Sequence, residues 1–128
     1  MNSMNLDEIE KKIKKILINS LSPKLIYIFG SIITNRVRND SDIDIAILAD
    51  KQIDEYQLYM IFQQLADDLK RKVDIVDLKR AFTVLKAEIL RDGKLIYNSD
   101  NQEKIHFQLR VLQDYVFLNE RRLEIINK

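Results

Sequence analysis

The fold is decided by two runs, Lys24-Leu-Ile-Tyr-Ile-Phe-Gly-Ser31 and, after ten residues, Asp42-Ile-Asp-Ile-Ala-Ile-Leu-Ala-Asp50. The first run is short, continuously apolar, β-branched and aromatic, which predicts a buried strand over 25–29. In the second, over about 42–49, isoleucines alternate with Asp42, Asp44 and Ala46, so the two kinds of residue lie on opposite faces of a strand. The sequence therefore predicts two strands, the second with two carboxylates on one face.

Working outward, apolar residues at helical spacing predict two helices. The first spans about 6–20, and the second follows a capping box formed by Asp54 and Gln57 and ends near residue 69. Val73-Asp-Ile-Val-Asp-Leu78 predicts a third strand, followed by a helix over about 82–91, a possible cap at Gly93 and a short strand at 94–97. A last helix, capped by Ser99 or Asp100, runs from about 101 to near the C-terminus. This order predicts an α+β fold, with a small mixed β-sheet flanked by helices.

Composition limits the function classes. A chain of 128 residues predicts one domain, 1–128. Its formal charge of +1 argues against extended nucleic-acid binding, which needs a strongly basic face. The absence of cysteine excludes thiolate metal sites, and neither a signal peptide nor a membrane span is expected. We therefore expect a cytoplasmic protein with no membrane partner.

Asp42 and Asp44 are candidate metal ligands. Two carboxylates at i and i+2 on a strand point the same way, about 6–7 Å apart, and repel each other unless a cation lies beside them. Mg²⁺ prefers oxygen ligands and usually takes one or two carboxylates together with substrate phosphates. Two such ions, about 3.5–4 Å apart, suit a nucleotidyl transfer, because they activate an attacking oxygen and stabilise a leaving pyrophosphate.

Gly30 and Ser31 are candidate phosphate-binding residues. A glycine directly after a strand lets the backbone approach a ligand, and free N–H groups with the Ser31 hydroxyl can hold phosphates if Ser31 opens a helix. A Gly-Ser pair or an Asp-x-Asp pair alone has an ordinary structural explanation, as a turn or as an exposed strand face. The two together, ten residues apart, predict a nucleotide site.

A third carboxylate is expected from the strand at about 73–78. Asp74 lies between apolar residues, where an ionised side chain is costly without a partner, and Asp77 lies near the strand end, where a solvated or capping aspartate is common. We favour Asp74 and keep Asp77 as the alternative.

The last helix, about 101–126, is predicted to be an interface element because two apolar stripes run along it. Ile105, Leu109, Leu112, Val116 and Leu123 form one stripe, and Phe107, Val111, Tyr115 and Leu118 form the other. A small sheet cannot bury both. Either the helix packs sideways on the first helix, or one stripe binds a protein, which would be a second copy or a different partner.

Gly30-Ser31, ten residues and Asp42-x-Asp44, followed by the strand with Asp74, resemble the motif of the DNA polymerase β-type nucleotidyltransferase superfamily. In its small size, the chain resembles the minimal nucleotidyltransferases of this superfamily, which are the antitoxins of HEPN–MNT toxin–antitoxin pairs. The resemblance implies a polymerase-β-like palm that transfers AMP from ATP with Mg²⁺ held by Asp42, Asp44 and Asp74. It also implies an acceptor, a tyrosine hydroxyl of a HEPN ribonuclease toxin.

The sequence departs from that family in one place. Members often have Arg-Gly four and five residues after the motif glycine, where this chain has Thr34 and Asn35, so one phosphate contact is in doubt. Arg36 or Arg38 are possible replacements. Two other functions stay open: AMP transfer to a small molecule such as an aminoglycoside, and an antitoxin that acts by binding alone.

Overall fold

The two strands of the opening stretch pair with each other at the centre of one sheet. The computed structural model describes residues 5–30 and 42–126, with side chains described as far as residue 120. Strands β1 (Leu25–Phe29) and β2 (Ile43–Leu48) are antiparallel, and Phe29 lies opposite Asp44. Strand β3 (Val73–Asp77) pairs parallel with β2, and β4 (Lys94–Asn98) pairs antiparallel with β1. The order β3-β2-β1-β4 confirms the predicted mixed sheet.

Among the described residues, four helices surround the sheet, with bounds close to those predicted: α1 (Leu6–Leu21), α2 (Glu55–Leu69), α3 (Thr83–Asp92) and α4 (Asn101–Ile126). The predicted caps of α2 and α4 are confirmed. Asp54 accepts a hydrogen bond from the backbone N–H of Gln57 at 3.4 Å, and Asp100 accepts one from the N–H of Glu103 at 3.1 Å. These carboxylates satisfy backbone donors that a helix leaves unpaired at its start.

Each face of the sheet is covered by two helices. Helices α1 and α2 bury one face, and their core contains the three alternating isoleucines of β2 together with Ile9, Ile13, Leu17 and Leu65. Helices α3 and α4 cover the other face, over Tyr27, Ala46, Leu48, Leu78, Ile89, Phe107 and Val111. The alternation predicted for β2 is therefore confirmed: its isoleucines face α1 and α2, and Ala46 faces α3 and α4. The result is a three-layer α+β fold.

Two expectations about the C-terminal half need correction or refinement. The alternative that α4 packs sideways on the first helix is wrong, because α4 packs mainly on α3. Gly93 does follow α3 and donates its N–H to the Ile89 carbonyl at 2.8 Å, but with φ −80° rather than in the left-handed conformation. Within the described residues, none of the helices combines the length and the apolar character that crossing a bilayer requires.

Candidate functional site

The candidate site begins where the backbone of β1 leaves the sheet. Gly30 follows Phe29 with φ +83°, a conformation that glycine adopts without the steric cost of a Cβ. A Cβ built on Gly30 would lie 2.2 Å from Oδ2 of Asp44. The backbone at Gly30 therefore approaches the Asp44 carboxylate more closely than any side chain would allow. The end of β1 and the β2 carboxylate therefore meet across adjacent strands.

A second strand places another carboxylate beside Asp44. In the parallel pairing of β2 with β3, Asp44 lies opposite Asp74. Paired residues on neighbouring strands point to the same face, and the strands are about 4.8 Å apart. Asp42 is exposed just before β2, two residues from Asp44 and so on the same side. Three aspartates, two on neighbouring strands and one just before β2, thus share one edge of the face that α3 and α4 cover.

Among the described residues, the interactions at this edge are those of carboxylates that repel one another. Burial raises the pKa of Asp44 above its usual value, and the neighbouring charges of Asp74 and then Asp42 raise it further. Each cause disfavours the ionised form of a half-buried carboxyl. Bringing a cation to this edge would oppose all three effects, because it stabilises the charged form.

Asp77, the alternative third carboxylate, lies on the opposite face of β3. Its neighbours in alternation, Val73 and Ile75, belong to the core under α1 and α2. Its Oδ1 accepts a hydrogen bond from the backbone N–H of Lys79 at 3.0 Å, and its Oδ2 lies 3.9 Å from Nε of Arg80. Asp77 therefore closes the turn after β3, as a capping aspartate does.

The expectation that the Asp74 carboxylate lies in apolar surroundings is wrong, although the position of Asp74 suits a metal ligand. Asp74 is exposed, so its ionised form needs no partner to offset burial. The half-buried carboxylate is that of Asp44, since Gly30 and the sheet cover part of it. The sequence showed apolar neighbours on both sides of Asp74 but not that these neighbours point away from it.

The donor set fits Mg²⁺, although the side chains do not form a closed ligand cage. Among the described residues, no three His, Asp or Glu side chains are arranged so that they could hold a metal ion by themselves. Mg²⁺ does not require such a cage, because it usually keeps water molecules and binds one or two carboxylates plus substrate phosphates. Carboxylate oxygens on a repelling acidic edge match that requirement, and the phosphates of a bound substrate would supply further ligands.

Part of the predicted site lies outside the described residues. Ser31 belongs to that part, as do Thr34 and Asn35, where the sequence departs from the family pattern, and the possible replacements Arg36 and Arg38. The described residues that come together are Gly30, Asp42, Asp44 and Asp74. No sequence signal indicated that Gly30 would contact Asp44 rather than Asp42, because that depends on the pairing register.

Comparison with known proteins agrees with this geometry. Residues 11–102 match the family model described as "Polymerase beta, Nucleotidyltransferase". A curated relative, the protein adenylyltransferase MntA of Shewanella oneidensis, is 36% identical over 120 residues, which is 92% of this chain and 85% of the relative.

Two solved structures have the same fold over nearly the whole chain. One is a toxin–antitoxin with AMP-PNP, with a TM-score of 0.81 and 34% identity over 92% of this chain and 95% of that chain. Another is a tri-AMPylated Shewanella oneidensis HEPN toxin in complex with its MNT antitoxin, with a TM-score of 0.78 and 34% identity over 94% of this chain and 95% of that chain. The family match and the 36% identical relative show that this chain belongs to the polymerase beta nucleotidyltransferase family.

Proposed function

We propose that this protein transfers AMP from ATP to a hydroxyl group of a HEPN toxin and so acts as the antitoxin of the pair. The approach of Gly30 to Asp44, with Asp74 opposite Asp44, is the main observation in its support. It joins the glycine at which β1 ends to the carboxylates that a nucleotidyl transfer needs. The MntA relative is named a protein adenylyltransferase, and a similar antitoxin was solved with an AMPylated HEPN toxin.

In this proposal, Asp42, Asp44 and Asp74 hold Mg²⁺, with two ions at the edge, and the backbone at Gly30 and the Ser31 hydroxyl hold the β- and γ-phosphates of ATP. When bound, Mg²⁺ supplies positive charge that neutralises the phosphates and the leaving pyrophosphate. Because ATP is the AMP donor, the proposal places the protein in the cytoplasm.

The reaction is a single displacement at phosphorus. A tyrosine hydroxyl oxygen of the toxin forms a bond to the α-phosphorus of ATP. The bond from the α-phosphorus to the bridging oxygen breaks, and pyrophosphate leaves with that electron pair. Asp74, whose side chain is exposed next to Asp44, accepts the hydroxyl proton. The half-buried Asp44 lies between Gly30 and β3, where it would position the reacting groups.

We further propose that the outer stripe of α4 binds the toxin. Ile105, Leu109, Leu112 and Val116 are 46%, 54%, 58% and 47% exposed, while the opposite side of the helix packs inward through Phe107 and Val111. The spacing of four, three and four residues is that of a heptad seam, which accepts a helix of another protein. A toxin helix is the partner we propose, because similar antitoxins were solved in complex with a toxin.

Intact-mass measurement of the toxin tests the transfer. The protein is incubated with ATP, Mg²⁺ and its toxin partner, and the expected result is a toxin heavier by one or more AMP groups. Asp44→Asn and Asp74→Asn should abolish the increase, whereas the matched control Asp77→Asn, on the other face of β3, should retain it. A stable complex with no mass increase would refute the transfer and indicate an antitoxin that acts by binding.

Size-exclusion chromatography with light scattering tests the α4 surface. The double variant Leu109→Gln/Leu112→Gln should lose the toxin complex, whereas Met60→Gln on α2, which removes an apolar residue that is 51% exposed, should keep it. Retention of the complex by the double variant would refute the assignment. If the protein alone is a dimer that the double variant dissociates, the stripe is instead an interface between two copies.

A further inference from the structure

A polar cavity lies at the end of the sheet opposite the aspartates. Its volume is about 380 Å³, and it opens between the turn after β3, helix α3 and helix α4. Its floor is apolar, formed by Leu48, Leu78 and Phe107, all of which are nearly or fully buried. Leu48 is four residues from Asp44 on β2, roughly 13 Å along the strand. Ala46, fully buried under α3 and α4, lies between them, which separates the cavity from the acidic edge.

The rim of this cavity is cationic, and its charges come from three different elements. Lys79 lies in the turn after β3, Lys86 on α3, and His106 and Arg110 on α4, with Glu103 as the acidic lining residue. Three permanent cations thus face one carboxylate in a chain whose net charge is only +1. Within the described part of the chain, cations gather at this cavity and carboxylates at the opposite edge.

Two of the three permanent cations of the rim are unpaired among the described residues, as some other surface lysines such as Lys11 and Lys15 also are. Lys24, Arg91 and Lys94 each make a salt bridge of 3.4 Å or less to a carboxylate. Lys79 donates to the Asp50 carbonyl. By contrast, Lys86 and Arg110 make no ion pair or side-chain hydrogen bond with any part of the chain that the structure describes. Like charges that converge without partners repel each other, and an anion bound between them would relieve that repulsion.

We propose that this cavity binds a phosphate-bearing ligand of nucleotide size, separately from the proposed ATP site. Lysine and arginine donors on the rim suit a phosphate group, because charge-assisted hydrogen bonds to phosphate are among the strongest in proteins. The apolar floor suits a planar base, and the volume lies within the ordinary range for small-ligand sites. The ligand is either a free mononucleotide or the 5′-phosphorylated end of an RNA strand, since both present the same chemistry.

Isothermal titration calorimetry of the full-length protein tests the proposal. AMP is titrated in the presence of EDTA, so that no divalent ion can bridge it to the aspartates, and adenosine serves as the control that lacks phosphate. We expect AMP to bind at one site and adenosine to bind at least about tenfold more weakly, because it lacks the charge-assisted contacts. AMP binding should also weaken with added salt.

Variants assign the binding to the cavity. Lys86→Gln/Arg110→Gln should weaken AMP binding at least about tenfold, whereas Lys86→Arg/Arg110→Lys, which keeps both charges, should retain it. The matched control Lys11→Gln/Lys15→Gln removes two cations from α1 and should bind as the wild type does. Asp44→Asn should also bind normally. Circular dichroism and the thermal midpoint verify that each variant is folded.

Three results would overturn the proposal: no AMP binding to the wild type at millimolar concentration, equal binding by the Gln double variant, or clearly tighter binding by Asp44→Asn, since in EDTA the loss of a negative charge favours a phosphate at the acidic edge. The last would mean that AMP occupies the acidic edge. A parallel titration with a short 5′-phosphorylated RNA distinguishes the two sources. Much tighter binding of the RNA than of AMP supports an RNA end, and equal binding supports a free mononucleotide.

Discussion

The contact between Gly30 and Asp44 makes Gly30→Ala the most direct test of the site. The new Cβ would lie 2.2 Å from Oδ2 of Asp44, whereas real Cβ atoms essentially never come within 3.0 Å of another heavy atom. The carboxylate or the backbone must therefore move by at least about 0.8 Å. A misplacement of about 1 Å in a catalytic constellation can reduce the rate about 100-fold. We expect Gly30→Ala to slow AMP transfer to the toxin by roughly 30- to 100-fold.

Stability should change much less than activity in this variant. Gly30 is exposed with φ +83°, so an alanine there adopts a conformation that costs about 1–2 kcal/mol. The atoms it meets belong to one side chain at the edge of the sheet, which can rotate. The thermal midpoint should therefore fall by only a few degrees, measured by differential scanning fluorimetry on the same samples used for the transfer assay.

Gly93→Ala is the matched control. There a Cβ would lie 2.5 Å from the Ile89 carbonyl oxygen and 3.3 Å from that of Ile28, so it meets backbone atoms and no aspartate side chain. Overpacking of this kind costs about 1–3 kcal/mol. Gly93→Ala should thus lower the midpoint at least as much as Gly30→Ala but keep the transfer rate per folded molecule. Wild-type transfer by Gly30→Ala, or equal loss of rate in both variants, would refute the reasoning.

Three further predictions concern charges. Asp74→Asn removes a charge that raises the pKa of Asp44, so the variant should have a higher thermal midpoint than the wild type in EDTA. Adding Mg²⁺ should then raise the midpoint of the variant less than that of the wild type. A lower midpoint of the variant in EDTA would contradict this prediction. Lys94→Met removes the ammonium group that lies 3.0 Å from the carboxylate of Glu10, a residue only 8% exposed. The free energy of unfolding, measured in urea, should fall by roughly 1–3 kcal/mol, which is more than Glu10→Gln should cost. Equal costs of the two variants would argue against this explanation. The backbone N–H of Glu103 in α4 is the main cause that lowers the pKa of Asp100. Asp100→Ala should therefore lower the thermal midpoint at pH 7, and the difference from the wild type should shrink as the pH falls through that lowered pKa. A difference that stays constant down to pH 2 would disprove this prediction.

Local patterns in the sequence were sufficient for the elements and for most of the candidate site. The period of two in β2 separates Asp42 and Asp44 from the isoleucines that α1 and α2 bury, and this alternation needs no tertiary information. The caps at Asp54 and Asp100 are likewise local, because the side chain bonds a backbone N–H three residues away. Such features depend only on neighbouring residues within one element, so they can be predicted from the amino-acid sequence alone.

Tertiary structure alone decided which aspartates meet. Asp74 and Asp77 are three residues apart, so the period of two already places them on opposite faces of β3. Which of them shares the face of Asp44 depends on the register of β2 with β3, and this register is a property of two paired strands. The contact of Gly30 with Asp44 follows in the same way from the register of β1 with β2.

The outer stripe of α4 and the cationic cavity show the same division between local and tertiary information. The sequence predicted that α4 carries two apolar stripes, but only packing determined that the stripe with Phe107 faces inward on α3 and that the stripe with Leu109 remains exposed. The cationic cavity was beyond prediction, because Lys86 and Arg110 come from separate helices and neither belongs to a motif. The sequence by itself determined which carboxylates and glycine the protein has for its chemistry. The fold decided which of them are neighbours, because strand register and helix packing join residues that are distant in the chain.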